Sequence, residues 1–228
     1  MSRSRVQLSP EAFSFFNMGI KENIQKIKKE LSNSVTLVVA VKYASLSQIK
    51  ELIDLGVKNI GFNTYQQLRD VKDIISKGTK IHFIGHLQKN KVRKVLEYGV
   101  YLIQSVDSYE LAEKINKVCD DLGIKQDILL QVKTDENKKY GIDVSELDNI
   151  ASEINKNLKN LNIKGLMTIP PLADNTEKYF VLVKKLYDKL SKTLGVKFEY
   201  LSMGMSDDYI NAVKEGANMV RLGRIVFE

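Results

Sequence analysis

Tryptophan is absent from this 228-residue chain, cysteine occurs once, histidine twice and proline three times. A single thiol, Cys119, cannot close an intrachain disulfide, so nothing points to an oxidising compartment. Its place inside a helical pattern marks it as a small buried side chain. Two histidines, His82 and His86, with no cysteine beside them do not make a zinc site. No apolar run is long enough to cross a bilayer, and residues 1–9 lack the apolar segment of a signal peptide, so the expected location is the cytoplasm. No Walker loop, GxSxG elbow, HExxH or GxGxxG occurs, which removes the common nucleotide, hydrolase and zincin signatures. Linkers and low-complexity stretches are missing too, and two of the prolines, Pro170 and Pro171, end a predicted strand. One domain over residues 1–228 is expected.

Charge is present in quantity. The formal net charge is +7, a balance that can signal a nucleic-acid or anion partner. The lysines, however, are spread over nearly every predicted helix and mixed with acids, as in Lys26-Ile27-Lys28-Lys29-Glu30. No aromatic–basic alternation resembles a base-stacking platform. Solvated helix faces explain the charge, and no nucleic-acid partner is expected.

The hydrophobic pattern repeats as strand, short loop, amphipathic helix. Ser9-Pro10-Glu11 opens a helix that runs to about Leu31. Strands are predicted over Leu37–Val41, Asn59–Phe62, Lys80–Ile84, Tyr101–Val106, Asp127–Val132, Ile163–Met167, Phe198–Leu201 and Asn218–Leu222. The helices between them are predicted over Ser45–Leu55, Tyr65–Ser76, Lys89–Glu97, Ser108–Leu122, Ser145–Leu158, Thr176–Leu194 and Asp207–Glu215. Eight strands alternating with helices argue for an α/β fold, a single closed (β/α)8 TIM-like barrel. Gly223–Glu228 leaves no room for an eighth helix after the last strand, so the N-terminal helix is expected to complete the helical ring.

In such a barrel the chemistry sits at the C-terminal ends of the strands. Those ends are Lys42, Asn63, Gly85-His86, Asp107, Thr134-Asp135, Met167-Thr168, Ser202 and Arg221. Lys42 closes an apolar strand; an amine in an apolar pocket holds its charge less firmly and becomes a nucleophile for an aldehyde. A lysine reaching from a strand end to water is the other reading. Tyr200–Asp208 follows a strand and opens a helix. There Gly204 would let backbone amides approach a ligand, Ser202 offers a hydroxyl, and Ser206 or Asp207 can cap the helix, a grouping that suits a phosphate. Barrels often hold phosphate between the loops after strands seven and eight, where the amides of Gly223 and Arg224 could join Ser202. Arg221 can only donate, so it pairs with a phosphate, a neutral ring nitrogen or a surface carboxylate. His82 shares a strand face with Ile84 and reads as a satisfied structural histidine. The polar loop Thr134–Gly141 reads as a solvated turn.

Six blocks together carry a family resemblance: Val39-Ala40-Val41-Lys42, Gly61-Phe62-Asn63, His82–Lys91, Gly165–Pro170, Leu201–Asp208 and Val220-Arg221-Leu222-Gly223. In that order they resemble the YggS/PROSC family of pyridoxal 5′-phosphate homeostasis proteins, from the first helix to Phe227. The resemblance implies a barrel like the N-terminal domain of alanine racemase. It implies that Lys42 holds pyridoxal 5′-phosphate as a Schiff base, that Ser202, Gly223 and Arg224 bind its phosphate, that Arg221 faces the pyridine nitrogen, and that Asn63 and Met167 line the pocket. Two residues depart from the family pattern: Phe62 stands where a glutamate is usual, and Val41 where serine or threonine is usual.

Three functions follow for comparison. A homeostasis protein would hold the cofactor, release it to pyridoxal-phosphate-dependent apo-enzymes and have no catalytic residues of its own; it is expected to be a monomer with no membrane and no metal. A racemase or decarboxylase on the same barrel is the enzyme alternative. It is disfavoured because an arginine at the ring nitrogen leaves the ring a poorer electron sink, and because two-base racemisation needs a second acid–base group. A basic nucleic-acid-binding module rests on charge alone.

Overall fold

The structure is a computed structural model that describes residues 19–137, 139–171 and 175–228. Eight parallel strands close into one barrel in sequence order: β1 (Thr36–Ala40), β2 (Asn59–Phe62), β3 (Lys80–Phe83), β4 (Leu102–Val106), β5 (Gln126–Val132), β6 (Leu161–Thr168), β7 (Tyr200–Ser202) and β8 (Met219–Leu222). Closure is made by β1 on β8, with Val38 level with Arg221 and Val39 with Leu222. The helices are α1 (Ile20–Glu30), α2 (Leu46–Asp54), α3 (Tyr65–Asp70), α4 (Val92–Glu97), α5 (Tyr109–Leu122), α6 (Leu147–Asn157), α7 (Glu177–Leu194), α8 (Tyr209–Lys214) and α9 (Arg224–Phe227).

Alternation along the strands divides the core in two. Outward-facing residues such as Val39, Ile60, Phe62, Phe83 and Ile103 pack under the helices with Ile24, Ile49, Leu68, Ile115 and Phe180. Inward-facing Val38, Leu102, Leu129, Met167 and Met219 form a smaller apolar plug inside the barrel. Cys119 is fully buried on α5, and desolvation pushes its thiol up to about 11, an inert small side chain as expected.

The barrel matches the predicted fold, with differences at α9, β6 and α3. One turn of helix, α9, does follow β8, where none was expected. It packs on α1, whose Asn23 Nδ2 donates to Val226 O at 3.2 Å, so α1 and α9 together fill the last position in the ring. The predicted start of the first helix, residues 10–18, lies outside the described residues. Strand β6 begins two residues early, at Leu161; Asn162, polar and bonded to Asp127, reads as loop in sequence. Helix α3 ends at Asp70, six residues short of expectation, in turns that bond back to Val71 O.

Candidate cofactor-binding site

A pocket of about 620 Å³ opens at the C-terminal end of the barrel, a size suited to a small-molecule cofactor. Lys42, Asn63, Arg221, Gly223 and Arg224 all line it, so loops after β1, β2 and β8 converge there. Its apolar wall includes Ile84, Ile169 and Phe227. Lys42 lies two residues beyond β1 with its side chain exposed, its Nζ 4.9 Å from the Tyr43 ring centroid. It sits at the rim of the pocket, not in an apolar hole.

Arg221 forms the inner end of the pocket and is 4 % exposed. Its Nη1 donates to Ser202 Oγ at 2.7 Å and its Nη2 to Thr168 O at 2.8 Å. Burial draws the guanidinium down to about 10, opposed by the charge of Asp208, so it stays cationic at neutral pH. Burial likewise raises the Asp208 carboxyl, against the Met205 N–H it accepts and the Arg221 charge.

Ser202 does not reach the pocket. It is fully buried, accepts from Arg221 and donates to Gln104 Oε1 at 2.7 Å. Gln104 Nε2 in turn donates to His82 Nδ1 at 3.0 Å, and His82 Nε2 donates to Asn59 Oδ1 at 3.0 Å. Arginine can only donate, so the direction of every bond in this chain follows, and His82 is neutral with its proton on Nε2. Desolvation, with the charge of Lys80, lowers the His82 pKa to about 3, which agrees. Met167 is also absent from the pocket wall; it is fully buried in the apolar plug below.

The serine hydroxyl that lines the pocket is that of Ser206. Its Oγ accepts from Ile225 N at 3.4 Å in the first turn of α9. Neither Ser206 nor Asp207 caps α8: Asp207 pairs with Arg224, and Asp208 Oδ1 takes the Met205 N–H at 2.6 Å. Gly204 has another role from the one expected of it. With φ +97° and a would-be Cβ 2.7 Å from Ala212 Cβ, it lets α8 pack on the end of β7.

Gln67 ties the Lys42 and Asn63 loops together. Its Oε1 accepts from Asn63 N at 3.0 Å and Thr64 N at 3.3 Å, while Nε2 donates to Lys42 O at 2.9 Å. Phe62 faces outward into the helical layer, fully buried, so the glutamate expected there by resemblance would not have faced the pocket.

Comparison with known proteins matches residues 19–228 to the family model described as the alanine racemase N-terminal domain. The pyridoxal phosphate homeostasis protein of Aquifex aeolicus (strain VF5) is 36 % identical over 216 residues, covering 91 % of this chain and 94 % of that protein. The chain belongs to the pyridoxal phosphate homeostasis protein family. The homologue of the same name in Escherichia coli (strain K12) is 30 % identical, over 91 % of this chain and 95 % of that one. PipY of Synechococcus elongatus PCC7942, solved with pyridoxal phosphate bound, superposes with a TM-score of 0.84 at 30 % identity, over 92 % of this chain and all of that one. An alanine racemase from Clostridium difficile 630 shares the fold alone, at 20 % identity and a TM-score of 0.76. Among the described residues, no helix is long and apolar enough to cross a membrane.

Proposed function

We propose that this family member is one pyridoxal-5′-phosphate-binding barrel domain that stores and delivers the cofactor. The reading rests on one observation: a lysine amine, a buried arginine and a hydroxyl beside a helix N-terminus meet in one apolar-walled pocket. When bound, the cofactor supplies an aldehyde that condenses with amines. Lys42 Nζ is the amine that attaches it. Arg221, held by Ser202 and Thr168, donates toward the ring nitrogen and keeps it an acceptor. Ser206 Oγ takes the phosphate together with the Gly223 and Arg224 N–H groups, which precede the first intrahelical bonds of α9. Ser206 thus replaces Ser202 in the phosphate role. Asn63 lines the ring edge, and Ile84, Ile169 and Phe227 exclude water from its faces. Met167 supports the floor from below. The protein acts in the cytoplasm as a monomer that passes the cofactor to apo-enzymes, without turnover of its own.

Borohydride fixation followed by peptide mass spectrometry tests the attachment: the label should fall on Lys42, and a label elsewhere with Lys42 clean refutes it. Ser206→Ala should weaken cofactor binding by roughly 1.5–3 kcal/mol, the worth of one hydrogen bond to a charged group. Unchanged affinity in equilibrium dialysis would place the phosphate elsewhere. Exchange of the α-deuteron of alanine at about 1–10³ s⁻¹ would make the protein an enzyme.

A further inference from the structure

The stretch His82–Lys91 carries much of the family resemblance, yet within it only Ile84 lines the cofactor pocket. His82 is used inside the barrel. His86, Gln88 and Lys91 line a second cleft, of about 290 Å³, between the loops after β2 and β3. Asn63 lines both cavities, so they share a wall.

His86 is held on two sides. Its Nδ1 lies 3.2 Å from Asp107 Oδ2, and its ring stacks on Tyr140 with centroids 3.8 Å apart and planes 17° from parallel. A carboxylate at Nδ1 favours the tautomer with its proton there and leaves Nε2 as an acceptor. Among the described residues Nε2 has no partner, and Lys91 has no carboxylate within ion-pair distance. The cleft therefore offers one cation, one basic nitrogen and the carboxamides of Asn63, Gln66 and Gln88. Asp107 sets a negative charge beside His86, which disfavours a dianion such as phosphate.

We propose that this cleft binds an α-amino acid as its zwitterion, with the carboxylate on Lys91 and Gln88 and an ammonium N–H on His86 Nε2. Transfer of that proton to Nε2 leaves the lone pair on the amine nitrogen, one shared wall from the Lys42 pocket, and no other bond changes. As a site that supplies amines to the Lys42 pocket it rests on the pyridoxal phosphate reading; as a binding site it does not.

The chain has only two histidines, so NMR of the imidazoles reads His86 directly and His82, locked in the interior, serves as the internal reference. Glycine, acetate, methylamine and inorganic phosphate are titrated separately into the purified protein and into Lys42→Ala. Glycine should shift the His86 signals saturably, about tenfold more tightly than acetate or methylamine, and leave His82 unmoved. Lys91→Met should weaken glycine by about tenfold. No saturable shift, phosphate binding tighter than glycine, or an unaffected Lys91→Met overturns the site. A shift in wild type that disappears in Lys42→Ala also overturns it, since the signal then reports chemistry at Lys42 and only the cofactor reading survives. A shift in both proteins supports it, even where borohydride finds no label on Lys42.

Discussion

Replacing His82 by glutamine should make the fold less sensitive to acid. His82 is fully buried, and each ring nitrogen is engaged: Nδ1 by the Gln104 amide, Nε2 by Asn59 Oδ1. Its pKa falls from 6.5 to about 3, through desolvation first and the Lys80 charge second. In the unfolded chain the same imidazole titrates at its ordinary value. Between the two values the unfolded state binds a proton that the folded state refuses, so stability rises with pH across this window and is complete above it. At about pH 4.5, two units below the ordinary value, the folded state is penalised by about 2.7 kcal/mol. That is a large share of the roughly 5–15 kcal/mol that holds a domain together. Glutamine can accept from Gln104 and donate to Asn59 but cannot titrate. Urea unfolding followed by circular dichroism, near neutral pH and near pH 4.5, measures the difference. Carboxylates titrate alike in both proteins and cancel. The wild type should lose about 2–3 kcal/mol more than His82→Gln on acidification. Equal losses would mean that His82 protonates within the fold, and the one-way hydrogen-bond chain would be wrong.

Gln67→Ala removes the side-chain half of the capping box and the tie between the Lys42 and Asn63 loops, and should cost about 1 kcal/mol in urea unfolding and weaken cofactor binding as well; Gln67→Glu keeps the capping acceptor but loses the donor to Lys42 O, so it should lower affinity with less loss of stability. Gly85→Ala would put a methyl group 2.1 Å from Asn63 O; displacement of Asn63 should weaken both cofactor binding and the glycine response of His86, and unchanged values for both would refute the shared wall. Ser202→Ala leaves Gln104 Oε1 and an Arg221 N–H without partners in a dry interior, at about 1–3 kcal/mol each; it should lower the unfolding midpoint, whereas Ser206→Ala should leave that midpoint alone.

The barrel was legible because its period is local. Valine-rich runs such as Leu37–Val41 and one-sided helices such as 145–158 repeat in a strand–helix order that a parallel barrel satisfies, and the strand ends include Lys42, Asn63 and Arg221, which line the pocket. Depth within the barrel was not legible. Ser202 and Ser206 stand four residues apart in one polar stretch, and the choice between them depends on the turn that Gly204 makes at φ +97°, which buries the first and presents the second. Met167 lies below the pocket for the same reason: alternation turns it inward, and a barrel interior has a plug as well as a pocket. Two further signals lie in the sequence. Gln104 is a polar residue on the inward face of β4, next in alternation to Leu102, and an amide there needs partners. Thr64-x-x-Gln67 is a capping-box spacing, which ties the glutamine side chain to backbone groups.

Ser202, buried below the pocket, helps hold Arg221. A guanidinium that is 4 % exposed must have its donors satisfied or lose stability to desolvation. Thr168 O takes one, Ser202 Oγ another, and Ser202 accepts only because its own proton goes to Gln104. Gln104 can receive that proton only with its amide turned toward His82, and His82 can accept only with its proton on Nε2, toward Asn59. Five strands, β8, β7, β4, β3 and β2, therefore share one orientation of hydrogen bonds, and reversing any member leaves a buried donor facing a donor. The arginine is thus pre-set as a donor at the inner end of the pocket by the barrel that surrounds it. A ring nitrogen placed there must accept, which favours holding the cofactor over stabilising a carbanion on it. On the proposed reading, Ser202 acts through Arg221, by fixing the donor that a ring nitrogen would meet.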